Sequence, residues 1–525
     1  MTDGITSGEK SIILVTVILY VLLMVSIGLF YSKKVKNVSD LTVGGRSVGA
    51  WMSALSYGSA YFSAVMFVGY AGATGWNFGL WGVMAGIGNA VFGSYLAWKL
   101  LAVRTRNVSK RLKIQSMPQF FFLRFNSSSL RVFSALVMFV FLIPYSASVY
   151  KGLASICSVL LGISELPCMI IIAAVSALLL FLGGYLAQVR ADFAQGIVMM
   201  FGVSLMILFI IRAKAVSGTE NLLDGISSVF EFAKNEGLPS LGFNKWVSLM
   251  ATVLMTSFGT WGLPHMIQKY YGIKDDAQAK KGVRISTFFS LLVAGGGYFI
   301  GSLCFLFFRG TMPEGGQDYI IPNMLKMADM PAVLLGLILV LLVSASVTTL
   351  SSLALTASSV FSMDLIKFKL KKNIEDKPLQ HLIKAVCLIF VACSFIVART
   401  KTPILDMMSY SWGIISGSFL APYILPLYSK KINKIGAWAG VLTGFSIAMI
   451  PALSKVILIS MGSPASSDNS IISSFIALSA KGPLYACIAM ISSLVVCYVV
   501  SRLTAKSATE NKLFYEGEIK EALTK

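Results

Sequence analysis

Long blocks of apolar residues, separated by short basic segments, run through almost the whole chain, and no other feature limits the fold as strongly. Blocks of about 18 or more apolar residues are long enough to cross a bilayer as helices. Backbone in lipid must satisfy its own hydrogen bonds, so a spanning segment is a helix or part of a closed barrel. These blocks lack the alternation of barrel strands, which leaves helices. Thirteen spans are predicted, at about 11–31, 50–73, 80–101, 131–159, 168–187, 193–212, 246–266, 285–308, 332–360, 383–398, 404–428, 435–460 and 482–503. Charged residues are only 13% of the chain, against about 25% in soluble domains. The expected fold is an all-α membrane protein, one transmembrane domain over residues 1–503 with a polar cytoplasmic tail at 504–525.

The net charge of +21 does not point to nucleic acid. The basic residues sit in short loops between spans, where they set orientation, and no loop is long enough for a soluble binding domain. With the N-terminus outside, the inside segments carry 30 Lys and Arg and the outside segments with their edges carry 10. That bias predicts N-out and C-in, which an odd number of spans satisfies. The first span is too long for a signal-peptide core, and its basic flank (Lys33, Lys34, Lys36) follows it. The seven cysteines lie in or beside spans without metal or disulfide spacing and read as small buried hydrophobes.

Several spans break the rules for lipid-facing helices. The second crowds small and hydroxyl residues over 55–65, followed by Gly69, Gly72 and Gly75. Close helix packing explains this; so does an unwound segment whose carbonyls line a site. The seventh carries Gly259, Gly262 and Pro264 within six residues, enough to break a helix. The two lie five spans apart, the separation of broken helices in five-plus-five inverted repeats. In the ninth, Ser344, Ser346, Thr348, Thr349, Ser351 and Ser352 fall within nine residues. Ala345, Thr348, Thr349 and Ser352 share one face at i, i+3, i+4 and i+7. Hydroxyls there either bond back to the preceding turn or offer hard oxygens to a small cation. Asp192 starts the sixth span, where a carboxylate expects a partner or a function; a local pair with Arg190 is the plain reading. Lys151, deep in the fourth span, either snorkels outward or holds a substrate carboxylate. His265 is read as structural.

These residues resemble the sodium:solute symporters, the family of proline, pantothenate, sialic acid and sugar carriers. The marks are Gly44-Gly-Arg-Ser-Val-Gly49, Gly183-Gly184 with Asp192 and Gln195, Gly262-Leu-Pro-His265 before Lys274-Asp275, and Ser409-Tyr-Ser-Trp-Gly413 leading to Pro422. The resemblance covers about 11–503. It implies a leucine-transporter-like fold with a 5+5 inverted-repeat core, at about 50–212 and 246–428, and flanking helices. It also implies a sodium site from backbone carbonyls of Ser59 and Phe62 with Ala345, Thr348 and Thr349. Members with a second sodium use positions matched here by Asp192, Ser351 and Ser352. Candidate solute contacts are Ser63, Tyr145, Lys151, Thr256 and Thr260. Tyr61 stands where the proline carriers have aspartate, and Arg190 where the family often has an aromatic residue.

The resulting expectation is sodium-driven symport of a small organic solute, a carboxylate-bearing metabolite, across the cell membrane. Sodium is the co-transported ion, and no enzyme activity, nucleic acid or obligatory protein partner is expected. Three rivals stand: a proton-coupled carrier on the same fold using Asp192 or His265, a membrane sensor module, and a passive channel. Only about 22 residues follow the last span, too few for an appended sensor domain.

Overall fold

The computed structural model describes residues 6–32, 37–328, 330–370, 374–400, 402–462 and 469–504. Within these, the side chains of 27–29, 31, 32, 178–184, 186 and 187 are not described. The expected tail beyond residue 504, and the Lys33–Lys36 flank, lie outside the described residues.

Helices dominate, and the β pairing among the described residues is one parallel bridge between Val48 and Ile273. The helices that carry the architecture are α1 (Ser7–Ser32), α2 (Ala50–Tyr61), α3 (Val65–Ala71), α4 (Ser128–Leu161), α5 (Glu165–Arg212) and α6 (Phe243–Phe258). They continue with α7 (Pro264–Tyr271), α8 (Ala332–Val360), α9 (Asp376–Ala398), α10 (Ile404–Tyr428), α11 (Lys434–Ser460) and α12 (Gly482–Leu503).

Burial sorts them into centre and flank. The most apolar 18-residue window of α8 is 89% buried within the protein, whereas that of α1 is 17% and that of α11 28%. Hydrophobicity does not drive helices together in lipid; close packing and polar contacts do. Small and hydroxyl residues along α8 allow that approach on every side, so α8 becomes the axis. The Leu- and Ile-rich faces of α1 and α11 are left for lipid. A close crossing elsewhere shows the same device. A Cβ on Gly75 would sit 2.0 Å from the Gly301 carbonyl oxygen, and one on Gly301 would sit 2.1 Å from that of Ala71.

Both expected breaks are present. The second span stops at Tyr61 and restarts at Ala64–Val65, with Phe62 at φ −104°, ψ 82°. The seventh runs through a tight 3₁₀ turn at Gly259–Gly262 and an extended Leu263, then α7 leaves at 51°. Nine described helices are long and apolar enough to cross a membrane, or ten with the bent α6–α7 pair as one span. That differs from the thirteen expected from the sequence. Broken spans present halves too short to count alone, and the second half of the second span runs on into the third as one stretch, Val65–Arg111.

The segments 168–187 and 193–212 likewise form one helical stretch in α5. A straight helix of 48 residues would be about 72 Å long. Yet the two ends of α5 reach the same region. Glu165 accepts a hydrogen bond from Tyr319. Lys214–Ser217, just past the other end, packs on Cys304–Phe308, which packs on Ile320–Met327. α5 therefore folds back on itself, as two spans would.

Candidate cation and solute site

The break in the second span leaves carbonyls without helical partners. Phe62 N still donates to Gly58 O (2.9 Å), and the next backbone bond comes only at Met66 N to Ser63 O (3.0 Å). The last carbonyls of α2, Ser59 among them, and that of Phe62 are thus the surplus acceptors of a helix end. α8 meets them with its hydroxyl stripe. Thr349 Oγ1 lies 3.1 Å from Ala60 O and 2.9 Å from Ala345 O. Ser59, Phe62, Ala345, Thr348 and Thr349 are all essentially fully buried. The carbonyl that the structure places on Thr349 is that of Ala60, inside the Ser59–Phe62 run.

Thr348, one residue on, faces α5 instead: its hydroxyl donates to Gln195 Oε1, and Gln195 Nε2 donates to Tyr20 OH of α1 (2.6 Å). Ser352 Oγ accepts from Gln188 Nε2 (2.5 Å). Ser351 is buried beside it. Asp192 does not rest on its neighbour Arg190; its Oδ2 accepts from Ser56 Oγ (2.5 Å) and from Lys269 Nζ (3.0 Å). Sequence position puts Lys269 among the inner-loop charges. The bend at Leu263 instead carries α7 back into the protein, and the side chains of Lys269 and Asp192 are 2% and 1% exposed. Among the described residues no three His, Cys, Asp or Glu side chains cluster. The donors gathered here are carbonyls, hydroxyls, amides and one carboxylate, the hard oxygen set that suits alkali and alkaline-earth cations.

Beyond the break a packed aromatic cluster, the candidate wall of a solute chamber, joins the two broken helices. Tyr61 stacks on Phe62 with centroids 4.1 Å apart and donates from its OH to Thr256 O (2.5 Å). Trp412 of α10 lies 6.2 Å from Tyr61 and 5.6 Å, edge-on, from Tyr145 of α4. Tyr145 in turn lies 5.6 Å from His265. Both His265 ring nitrogens are buried without hydrogen-bond partners, while the Tyr145 hydroxyl and Trp412 Nε1 face one another without a well-formed bond. Each such group costs about 1–3 kcal/mol unless something satisfies it. Ser416 Oγ donates to Gly259 O (2.5 Å), a carbonyl at the break in the seventh span.

The other solute candidates have structural partners. Thr256 Oγ1 bonds back to Thr252 O (2.8 Å) and Thr260 Oγ1 to Ser257 O (2.9 Å). Ser63 Oγ accepts from Val65 N (3.2 Å), capping the restarted helix. Lys151 Nζ donates to Thr402 O (2.8 Å) and lies 3.8 Å from Asp318 Oδ2, tying α4 to the start of α10. Its head thus reaches outward to the loops at 309–331 and 399–403 and is 15% exposed, as the snorkelling reading expects, rather than toward the aromatic residues at the breaks. Burial raises the Asp318 carboxyl above its ordinary range, and the Lys151 ammonium opposes the shift. Trp412 and Lys269 were not legible as site residues, and His265 reads in the sequence as structural or as the titratable group of a proton-coupled carrier. The Ser-Trp-Gly and Leu-Pro-His runs mark their helices but not their convergence.

Two broken helices meeting an axial hydroxyl-bearing helix define a secondary transporter of the broken-helix class. The sodium:solute symporter family pattern matches residues 41–444, and the chain belongs to that family. It is similar to the high-affinity proline transporter PutP of Bacillus subtilis (strain 168), 29% identical over 81% of this chain and 89% of that protein. It is also similar to the sodium/pantothenate symporter of Haemophilus influenzae, 25% identical over 82% and 88%. Its fold matches that of a sodium-coupled sialic acid symporter solved substrate-bound and outward-open, with a TM-score of 0.72, 19% identity and coverage of 94% and 98%. A nucleobase-cation-symport-1 transporter, Mhp1, matches more loosely, at a TM-score of 0.52 with 14% identity, over 91% of this chain and 98% of that one. The chain is thus a multi-pass membrane transporter, not an enzyme, and sodium is its co-transported ion.

Proposed function

We propose that the chain imports a small carboxylate-bearing solute with sodium by alternating access, and that its sodium sits between the α2 break and α8. The observation that carries this is the Thr349 hydroxyl set 3.1 Å from the Ala60 carbonyl at the helix end. In this reading the Ser59 and Phe62 carbonyls, Ala345 O and the Thr349 hydroxyl are the ligands, and the Thr348 hydroxyl, which donates to Gln195 in this structure, joins them on giving up that bond. Phe62 contributes a carbonyl to that site and its ring to the chamber wall. A cation that fixes the Phe62 backbone therefore also fixes the wall the solute meets, which is a physical route for coupling. By linkage, solute then tightens sodium binding by the same factor.

The chamber supports a carboxylate through neutral donors. Trp412 Nε1–H and Tyr145 O–H have only each other nearby and no well-formed bond, and the restarted halves of both broken helices present their N-terminal, positive ends near the breaks. A proton-coupled carrier needs an unengaged titratable group; Asp192 already holds Lys269, which leaves His265, with both ring nitrogens unpartnered, as the group such a carrier would use, and uptake at zero sodium across pH tests it. The N-out orientation has support from one end of the bundle. There Arg46 bonds Ser109 Oγ, Tyr271 O and Ile114 O, and Arg106 pairs with Asp276, a basic end suited to the cytoplasmic side.

The test is purified protein in liposomes with carboxylates screened by thermal shift with and without sodium, followed by uptake. The reading expects a solute whose stabilisation needs sodium and which accumulates against its gradient. Accumulation at zero sodium driven by pH overturns it.

A further inference from the structure

The carboxylate that the sequence offers to a second sodium already faces a cation belonging to the chain. Lys269 Nζ lies 3.0 Å from Asp192 Oδ2 and 2.8 Å from Ser56 Oγ. The Tyr185 ring closes a third side at 5.5 Å from the ammonium. The cage thus supplies a carboxylate oxygen, a hydroxyl oxygen and an aromatic face, which is what a desolvated cation seeks. Neither charge is tenable alone at this depth, since removing one partner of a buried pair strands the other. The neighbouring groups are also engaged: Ser352 Oγ accepts from Gln188, and Thr348 donates to Gln195. The three anchor points belong to three separate elements: Ser56 to α2, Lys269 to α7 and Asp192 to α5.

We infer that Lys269 is a tethered substitute for a second sodium, so that its ammonium occupies the Asp192 site and one mobile sodium, at the α2–α8 site, is bound per chain. The inference rests on the sodium-symport reading above. It makes Asp192 a positioning residue that joins both broken helices to α5 through a permanent cation. The positive charge at that site then stays with the protein throughout the cycle and is not delivered to the cytoplasm.

The experiment is equilibrium binding of radioactive sodium alone, without solute, to the purified full-length protein at pH 8. Wild type is expected to bind one sodium per chain with a Hill coefficient of one. Lys269→Met, which keeps the stem and removes the charge, is expected to bind two, with a coefficient above one. Lys269→Met with Asp192→Asn is expected to return to one. Two sodium ions in wild type, or one in a Lys269→Met protein that retains wild-type affinity for it, overturns the inference. If Lys269→Met does not fold, Asp192→Asn alone decides. A count of one in both wild type and Asp192→Asn supports the tethered cation, and a fall from two to one refutes it. No bound sodium in wild type is a different result and overturns the symport reading itself.

Discussion

Thr349→Val tests the α2–α8 site more cleanly than any other change. Valine keeps the branched shape and removes only the oxygen. The fold has little reason to object. Thr349 Oγ1 bonds back to Ala345 O at 2.9 Å, a local bond that a helix makes and loses at small cost, and its other contact is the Ala60 carbonyl at 3.1 Å. Interactions of polar groups with a full charge are worth about 1.5–3 kcal/mol each. Losing one ligand oxygen should therefore weaken sodium by roughly 12- to 150-fold. The assay is sodium binding to the purified variant together with the sodium concentration that half-saturates uptake in liposomes. Linkage adds a second reading: apparent solute affinity falls at low sodium and recovers at saturating sodium. Adding Thr348→Val should deepen the effect, although it also deprives Gln195 Oε1 of its donor and mixes a structural cost into the number. Unchanged sodium affinity in a well-folded Thr349→Val protein refutes the placement.

Trp412→Phe keeps an aromatic wall and removes the Nε1–H, which has no well-formed bond; the solute KM should rise roughly tenfold, about 1.4 kcal/mol, with sodium binding to the solute-free protein unchanged. Lys151→Met removes the cation that opposes the burial-driven rise of the Asp318 carboxyl. A carboxyl whose folded pKa is raised favours the fold while protonated and loses that contribution as pH rises through it, so thermal stability of the variant should fall from acid towards neutral pH more steeply than that of wild type. Gly301→Ala puts a Cβ 2.1 Å from the Ala71 carbonyl oxygen; backbone cannot yield as a side chain does, so folded yield in membranes should drop sharply while the same change at exposed Gly8, which has open space, should not matter.

The parts of this site that follow helical period or local chain chemistry were legible in the sequence. Gly259, Gly262 and Pro264 announce a break because their effect on a helix is local, and the structure bends there by 51°. The Thr348–Thr349 pair announces a polar face because spacing fixes which residues share it. Asp192 announced itself as a carboxylate in need of a partner, but the partner was not legible. Lys269 is 77 positions away and reads as one more inner-loop charge until the bend at Leu263 turns α7 inward. The aromatic cluster was legible only in part: Tyr145 stands among the solute candidates and His265 among the titratable ones, but Trp412 does not, and the meeting of the three from three helices is not a matter of spacing. Counting spans by helix length gives nine among the described residues, because a broken span presents two short halves and α5 carries two expected spans in one helical run.

Those failures share a physical origin that bears on mechanism. A transporter needs residues whose roles are set by which helices meet, because the meeting must differ between two states. Tyr61 and Phe62 illustrate it. Their backbone ends α2 and frees the carbonyls; their rings form the wall shared with Trp412. Tyr61 OH holds the Thr256 carbonyl across to the other broken helix at 2.5 Å. A shift of α2 relative to α8 changes the carbonyl–hydroxyl distance that a cation senses. The same shift moves the ring that the solute senses and strains the bond to Thr256. With sodium and solute at the proposed sites, the two would bias one element from opposite sides, which is the condition for coupling between sites. On the inference drawn above, Lys269 fits that scheme as a fixed charge: pinned to Asp192 and Ser56, it would let α7 follow α2 without a second ion that has to bind and leave.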